Sequence, residues 1–298
     1  MKVTVIGAGA IGTLLAYNLS KAGNDVTIIA KLEQMSEIDN KLIYDGPEVV
    51  EEIPITTKTT IEETDYIIVA SKSYDVGGII DSLKSIGVPI MFCQNGLNVL
   101  YQIEQRLKGK TISYMVTGNG VSKLGPARIK HNGVGFTYIG NVGQETDHLT
   151  EKIVYTLEKT NFDVEITKNI IQFIWLKAVI NSAINPIGAY HNLKNGELTK
   201  PEFMSEMKQL CEESTKVALA NDIKLPLDPW DEIVKIIRNT TNNKCSMLQD
   251  MDNKQRTEIE QINGEIIRLS EVLNISVPMN KKYYERILSK TSLYQERH

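Results

Sequence analysis

The sequence predicts an α/β protein: a Rossmann-type, doubly wound, mostly parallel sheet followed by an all-helical domain. Three observations lead there. A β-branched run from Val3 to Ile6 enters Gly7-Ala8-Gly9-Ala10-Ile11-Gly12 and then an apolar-periodic helix through Leu15, Ala16 and Leu19. Short strands alternate with helices of about ten residues over the first half. Beyond residue 168 strand signals cease and only helical periods remain. The expected domains are therefore 1–168 and 169–298.

Each element of the first half has a local reason. The order strand, glycine turn, helix, strand is the setting in which GxGxxG binds a dinucleotide. Gly7 permits the tight turn, Gly9 keeps side-chain atoms away from the pyrophosphate, and Gly12 lets the helix pack closely on the strand. Ala8, Ala10 and Ile11 complete this loop, whose N–H groups at the helix N-terminus favour an anion. Asn24-Asp25 turns the chain into a second strand, Val26 to Ile29. An NAD enzyme usually places Asp or Glu at the end of that strand, whereas this chain has Lys31, a cation suited to a 2′-phosphate; NADP(H) is therefore expected. Glu33 is close enough in sequence to be an alternative ribose ligand. Further strands are expected at Tyr66 to Ala70, Pro89 to Cys93, Thr111 to Thr117, and the pair Arg128 to Lys130 and Gly135 to Ile139, the last ones as an antiparallel extension. Helices fall near Val76 to Ser85 and Leu97 to Leu107. Two polar clusters, Ser71-Lys72-Ser73 and Gln94-Asn95-Gly96, follow strands at the end where ligands gather in such sheets; ordinary turn chemistry would also account for them.

In the second half, a helix is expected at Lys168 to Asn185, and within it Phe173 to Pro186 puts Lys177, Asn181 and Asn185 four residues apart in an otherwise apolar stretch. At ~100° per residue the three rotate by only ~80°, so they form one polar stripe. A helix apolar nearly all round is buried, and buried amides and ammonium groups need partners. Either the asparagines bond neighbouring backbone and Lys177 reaches solvent, or the stripe faces a ligand. Further helices are expected at Pro201 to Asn221, Pro229 to Asn239, Gln255 to Leu273 and Pro278 to Tyr294, with first-turn prolines at 201 and 229 and Asp228 as an N-cap. Asn242 to Asp250 reads as a loop whose hydroxyls and amides, Ser246 among them, suit a carboxylate. Glu258 by itself reads as an ordinary exposed glutamate, and Glu265 and Arg268 as solvent-face residues.

Composition narrows the classes. Among 298 residues, 33 basic and 37 acidic side chains give a net charge of −4 with no basic block, so neither nucleic acid nor an anionic membrane is an expected partner. The 3 cysteines and 4 histidines lie in no metal-ligand spacing, so no metal is expected and free thiols fit a reducing compartment. The N-terminus runs straight into the glycine turn, without the apolar segment of a signal peptide, and no run is expected to reach the ~18 apolar residues of a membrane span. A cytoplasmic location is expected. The helix Pro201 to Asn221 is compatible with a homodimer interface or with a core position.

The glycine loop, Lys-x-Tyr-Asp at Lys72 to Asp75, Gln-Asn-Gly at 94–96, Trp175-x-Lys177-x3-Asn181-x3-Asn185-Pro, Asn195-Gly, Ser246-Met-Leu-Gln-Asp, Thr257-Glu-Ile and Ile262-Asn-Gly together resemble the 2-dehydropantoate (ketopantoate) 2-reductases over nearly the whole chain. The resemblance implies NADPH-dependent reduction of a 2-keto acid, ketopantoate to (R)-pantoate, a step toward pantothenate and coenzyme A. It implies Lys177 as general acid, and Asn181, Asn185, Asn195, Asn95 and Ser246 around the substrate. It further implies Lys31, Lys72, Asn95 and Glu258 along the cofactor. Three departures stand out. The family more often has arginine at Lys31, 32–50 matches poorly, and Ala127 replaces a usual glycine. A paralogue acting on another 2-keto acid, or a non-catalytic NADP(H) sensor lacking the acid, are the competing readings. Opine or phosphate substrates would call for a second cationic or amine-binding cluster, which the sequence lacks.

Overall fold

The computed structural model describes residues 1–143, 145–160 and 162–295. It resolves into two compact units, one of 1–94 with 102–170 and one of 95–101 with 171–298.

The first unit opens with β1 (Lys2–Ile6), α1 (Ala10–Lys21), β2 (Asp25–Ile29), α2 (Leu32–Ile38), β3 (Lys41–Asp45), β4 (Val50–Pro54), β5 (Thr56–Lys58) and β6 (Tyr66–Val69). It continues through α3 (Val76–Leu83), β7 (Ile90–Phe92), the later part of α4 (Asn98–Arg106, whose residues 98–101 belong to the second unit), β8 (Ile112–Thr117), β9 (Gly120–Gly125), β10 (Arg128–Gly133), β11 (Thr137–Asn141), α5 (His148–Glu158) and β12 (Val164–Ile166). The main sheet runs β12-β11-β8-β7-β6-β1-β2-β5. It is parallel from β8 to β5, and β11 pairs antiparallel with β8. Strand order reverses beside β1, whose neighbours are β2 and β6, so the glycine loop leaves the sheet at its switch point, where ligands of doubly wound folds bind.

The strand expected at Arg128 to Lys130 does not join this sheet. It is β10, in a second sheet ordered β4-β3-β10-β9 that the sequence reading missed entirely. The physical trace of that sheet is in α1. Residues 12 to 19 of α1 are all buried, on every face of the helix, because both sheets supply its surroundings. Val5, Ile28, Tyr66 and Ile68 come from the main sheet, and Leu42 and Ile129 from the second, each burial stabilising by about 1.5–3 kcal/mol. Ala127, in the β9–β10 turn, has φ of 50° and is fully buried, which explains why glycine suits that position.

The second unit holds α6 (Ile170–His191), α7 (Pro201–Ala220), α8 (Pro229–Asn239), α9 (Ser246–Asp252), a π-helical turn at Glu260–Gly264, α10 (Glu265–Val272) and α11 (Pro278–Gln295). Val179, Ala183 and Ile187 of α6 pack with Met207, Leu210, Ile233, Ile237, Leu248 and Ile287 in one core. Asp228 caps α8 by accepting from Asp231 N at 3.0 Å.

Several expectations are corrected. The segment 95–101, read as part of the first domain, belongs to the helical unit. The loop expected at 242–250 holds the start of the helix α9, and the helix expected from Gln255 to Leu273 begins only at the π turn Glu260–Gly264, which runs directly into α10. α6 does not stop before Pro186 but continues to His191. At 22 residues it is long and apolar enough to cross a bilayer, contrary to the expectation that no segment would be. Its apolar window is 78% buried inside the protein, as in a core helix. Glu265 is not on the solvent face: its side chain is 3% exposed and is held by Arg268, whose Nε lies 3.0 Å from each carboxylate oxygen.

Candidate active site

In the first unit the glycine loop has the form its sequence demands. Gly7 has φ of +116°, and a Cβ there would meet Ser71 N at 2.9 Å; at Gly12 a Cβ would lie 2.0 Å from Gly7 O. No side chain substitutes at either position without moving the loop. Gly9 is different, for a Cβ there would meet nothing nearer than Ala70 O at 3.9 Å. The chain leaves this space open at the N-terminus of α1, where no side chain caps the helix and the first turn holds no acid. Such a cradle suits the pyrophosphate of a dinucleotide. Ala8, Ala10 and Ile11 line the same turn.

Lys31, two residues beyond β2, is 64% exposed at its side chain, and its Nζ lies 4.0 Å from Asp75 Oδ2. Lys72 directly precedes the 3-10 turn Ser73–Asp75, so the Lys-x-Tyr-Asp motif brings Asp75 toward Lys31. Gln94 has a structural task, donating from Nε2 to Val69 O at 2.8 Å and Ser71 O at 3.1 Å. The two polar clusters at strand ends thus separate: Gln94 ties strand ends together, while Asn95 belongs to the other unit.

In the helical unit, Asn95 Nδ2 donates to Glu258 Oε2 at 3.3 Å. Gly96, with φ of +91°, would carry a Cβ only 2.5 Å from Gln261 O, and Leu97 N donates to that same carbonyl. Backbone contact this close fixes Asn95 against Glu258. Glu258 is buried, not exposed, with 6% of its surface accessible.

On α6 the stripe is as spaced in sequence, and its hydrogen bonding is incomplete. Among the described residues Lys177 Nζ has no hydrogen-bond or ion-pair partner and Asn181 makes no side-chain hydrogen bond. Asn185 Nδ2 is buried and unpaired. Burial holds the Lys177 ammonium below the ordinary lysine pKa of 10.5; Glu258, which by charge would oppose that shift, is not among its causes. Asn185 meets the 240–246 segment, since Cys245 Sγ donates to Asn185 O at 3.5 Å and abuts Gly188. Ser246 follows directly as the first residue of α9 and is exposed. Asn195 is bound to the same segment, with Asn195 N on Asn243 O at 2.9 Å and Asn195 Nδ2 on Thr240 Oγ1 at 2.8 Å, while its Oδ1 is buried without a partner. The structure therefore brings Asn185, Asn195 and Ser246 onto one connected segment, and Asn95 to Glu258 as a second pair.

Sequence reading missed the roles of Asn263 and Asn280, both with no accessible surface. Each stands among apolar residues on a buried helical face, the same signal that exposed the α6 stripe.

Comparison with known proteins agrees with this architecture. Residues 3–144 match the family model of ketopantoate reductase PanE/ApbA, and residues 169–290 that of the ketopantoate reductase PanE/ApbA C terminal. The chain is 33% identical to 2-dehydropantoate 2-reductase of Pyrococcus horikoshii, over 98% of each chain. It is 28% identical to the enzyme of that name from Escherichia coli O157:H7, over 99% of this chain and 97% of that one. In fold it is similar to a PanE/ApbA family ketopantoate reductase from Ralstonia eutropha JMP134, with a TM-score of 0.89 at 24% identity over 99% of this chain and 100% of that one. D-mandelate dehydrogenase, solved with NADH and anilino(oxo)acetate, gives 0.87 at 23% over the same shares. Matched in order by both family models and by relatives of equal length, the chain belongs to the ketopantoate reductase PanE/ApbA family.

Proposed function

We propose that the protein reduces ketopantoate to (R)-pantoate with NADPH, the reduction that leads toward pantothenate and coenzyme A, and that Lys177 is the general acid. The observation that carries this reading is the unpaired α6 stripe: an ammonium with no partner among the described residues, and below it a buried Asn185 N–H that nothing accepts. A buried donor left unpaired is costly unless a ligand completes it. A 2-keto acid offers a carbonyl and a carboxylate, two acceptors for those donors.

Gly7, Gly9 and Gly12, with Ala8, Ala10 and Ile11, would hold the dinucleotide pyrophosphate, Lys31 its 2′-phosphate, and Lys72, Asn95 and Glu258 the rest of its length. When bound, NADPH supplies a hydride to the keto carbon. Negative charge then builds on the keto oxygen, and Lys177 stabilises it and delivers the proton that makes it a hydroxyl. Its lowered pKa makes Lys177 a stronger acid than a solvated lysine. Asn181, Asn185, Asn195 and Ser246 would hold the carboxylate and the remaining hydroxyl, keeping the carbonyl oriented toward Nζ.

A second reading, reduction of a different 2-keto acid, has support in the likeness to D-mandelate dehydrogenase, a protein solved with NADH. Lys31 bears on it as well, being a single exposed cation shared with Asp75 where a bidentate arginine would discriminate more strongly for a 2′-phosphate. Steady-state kinetics with ketopantoate and a panel of aliphatic and aromatic 2-keto acids, each with NADPH and NADH, tests both. Ketopantoate with NADPH should give the largest kcat/KM; a larger value for another acid would move the assignment to the second reading.

A further inference from the structure

Pro186 lies inside α6 and has no N–H, so the Ser182 carbonyl four residues earlier loses its helical donor. Ser182 is fully buried, out of reach of solvent. Its oxygen is nevertheless satisfied, by Asn263 Nδ2 at 3.0 Å. The orientation of that amide follows from its partners, because Nδ2 also donates to Asn280 Oδ1 at 3.0 Å; reversed, it would set oxygen against two oxygens. Asn280 is oriented in turn by Glu213, whose carboxylate accepts from Asn280 Nδ2, Asn280 N and Met279 N, each at 2.9 Å. The Ser214 hydroxyl lies 2.8 Å from Ser182 Oγ, closing the network back on α6. Residues of α7, the π turn and α11 thus converge on one peptide of α6. That peptide sits between Asn181 and Asn185.

We infer that Asn263 is a positioning residue for the reaction: by receiving the carbonyl that Pro186 displaces, it fixes the turn of α6 that aims Asn181 and Asn185 relative to Lys177. The inference rests on the proposed role of that stripe. A proline ring crowds the carbonyl four residues earlier, and the amide braced by Asn280 and Glu213 gives the Ser182 carbonyl one fixed partner. Asn263 lies in a π-helical turn, a conformation that recurs at functional sites, and the same segment carries Glu258, whose carbonyl accepts from Ile262 N at 3.1 Å. Asn263 Oδ1 is itself buried without a partner. Keeping an amide there serves its two N–H groups, not the economy of the core.

The test uses Asn263→Ala and Pro186→Ala in the full chain, with Tm, steady-state kinetics and crystal structures as readouts. Asn263→Ala should lower Tm and raise KM for the 2-keto acid by about tenfold or more, with KM for the dinucleotide unchanged. Pro186→Ala restores a helical N–H for Ser182 O in place of the Asn263 amide, so Tm should hold or rise while KM for the keto acid still rises. A purely structural network would not separate stability from substrate binding in that way. Wild-type KM and kcat in both variants, with only Tm altered, overturns the inference. Should the wild-type protein reduce no 2-keto acid, the functional reading fails on that result alone, and the crystal structures decide positioning: Asn185 displaced relative to Lys177 supports it, and an α6 that superposes unchanged overturns it.

Discussion

Two buried helices, α1 and α6, treat their polar side chains in opposite ways. On α1, Asn18 donates to its own Leu14 O at 2.8 Å and Tyr17 donates to Glu51 at 2.7 Å while stacking on Tyr44 at 4.0 Å between ring centroids. Among the described residues, the one buried side-chain polar atom of that helix without a partner is the Thr13 hydroxyl, in the turn behind the glycine loop. On α6 the division runs along the helix itself. Ser182 is satisfied at both its hydroxyl and its carbonyl, whereas Lys177 and Asn181 are unbonded among the described residues and Asn185 Nδ2 is buried alone. A polar group satisfied within the fold serves the fold. A set of donors on one stripe that the fold leaves unsatisfied points to a ligand.

The contrast can be broken most severely at Lys177. Lys177→Ala should lower kcat by about 10²–10⁴-fold while dinucleotide affinity, followed by fluorescence titration, stays the same. Asn185→Ala should raise KM for the keto acid by about ten- to a hundredfold, the scale of a hydrogen bond to a charged group, with little change in Tm because no internal bond is lost. Ser182→Ala, which loses the hydroxyl's bonds to Val179 O and Ser214 but keeps the carbonyl that Asn263 holds, should do the reverse and lower Tm with KM nearly unchanged.

Proton linkage sharpens the comparison further. Burial lowers the Lys177 pKa in the folded protein, so between that value and 10.5 the unfolded chain binds the proton and the folded chain does not. Stability should rise with pH through that window, while the reductive rate, which in the proposed mechanism needs the protonated form, should fall through the lowered pKa. Lys177→Met should accordingly raise Tm at neutral pH and lose the rise at high pH; a Tm below wild type at pH 7 would contradict the burial account. A smaller effect is expected at Lys31. Lys31→Ala should weaken NADPH by no more than about fivefold and leave NADH unaffected, as suits an exposed cation. Smallest is Ala127→Gly, where relief of a left-handed backbone offsets the loss of a buried methyl, shifting Tm by less than about 3 °C.

Where sequence carried the structure, it did so through residues with one physical solution. Gly7 and Gly12 admit no side chain, and four-residue spacing aligned Lys177, Asn181 and Asn185 whatever the tertiary context. The second sheet escaped because β3, β4, β9 and β10 are short, polar and partly exposed, without the apolar runs of the main strands. Its signature was nonetheless in α1, where Thr13-Leu-Leu-Ala-Tyr-Asn-Leu19 is too apolar for a helix covered on one side. The continuation of α6 past Pro186 was not legible because it depends on a donor 77 residues away, Asn263, and no local rule predicts that pairing. Glu258 looked exposed because its partner Asn95 lies 163 residues distant.

The most direct test of the stripe as the substrate site is a crystal structure with ketopantoate bound. The expected result has the keto oxygen within hydrogen-bond reach of Lys177 Nζ and the carboxylate or hydroxyl on Asn181 and Asn185, whose unpaired N–H is then satisfied. Ketopantoate held by other residues, with Lys177 and Asn185 still unpaired, would contradict it.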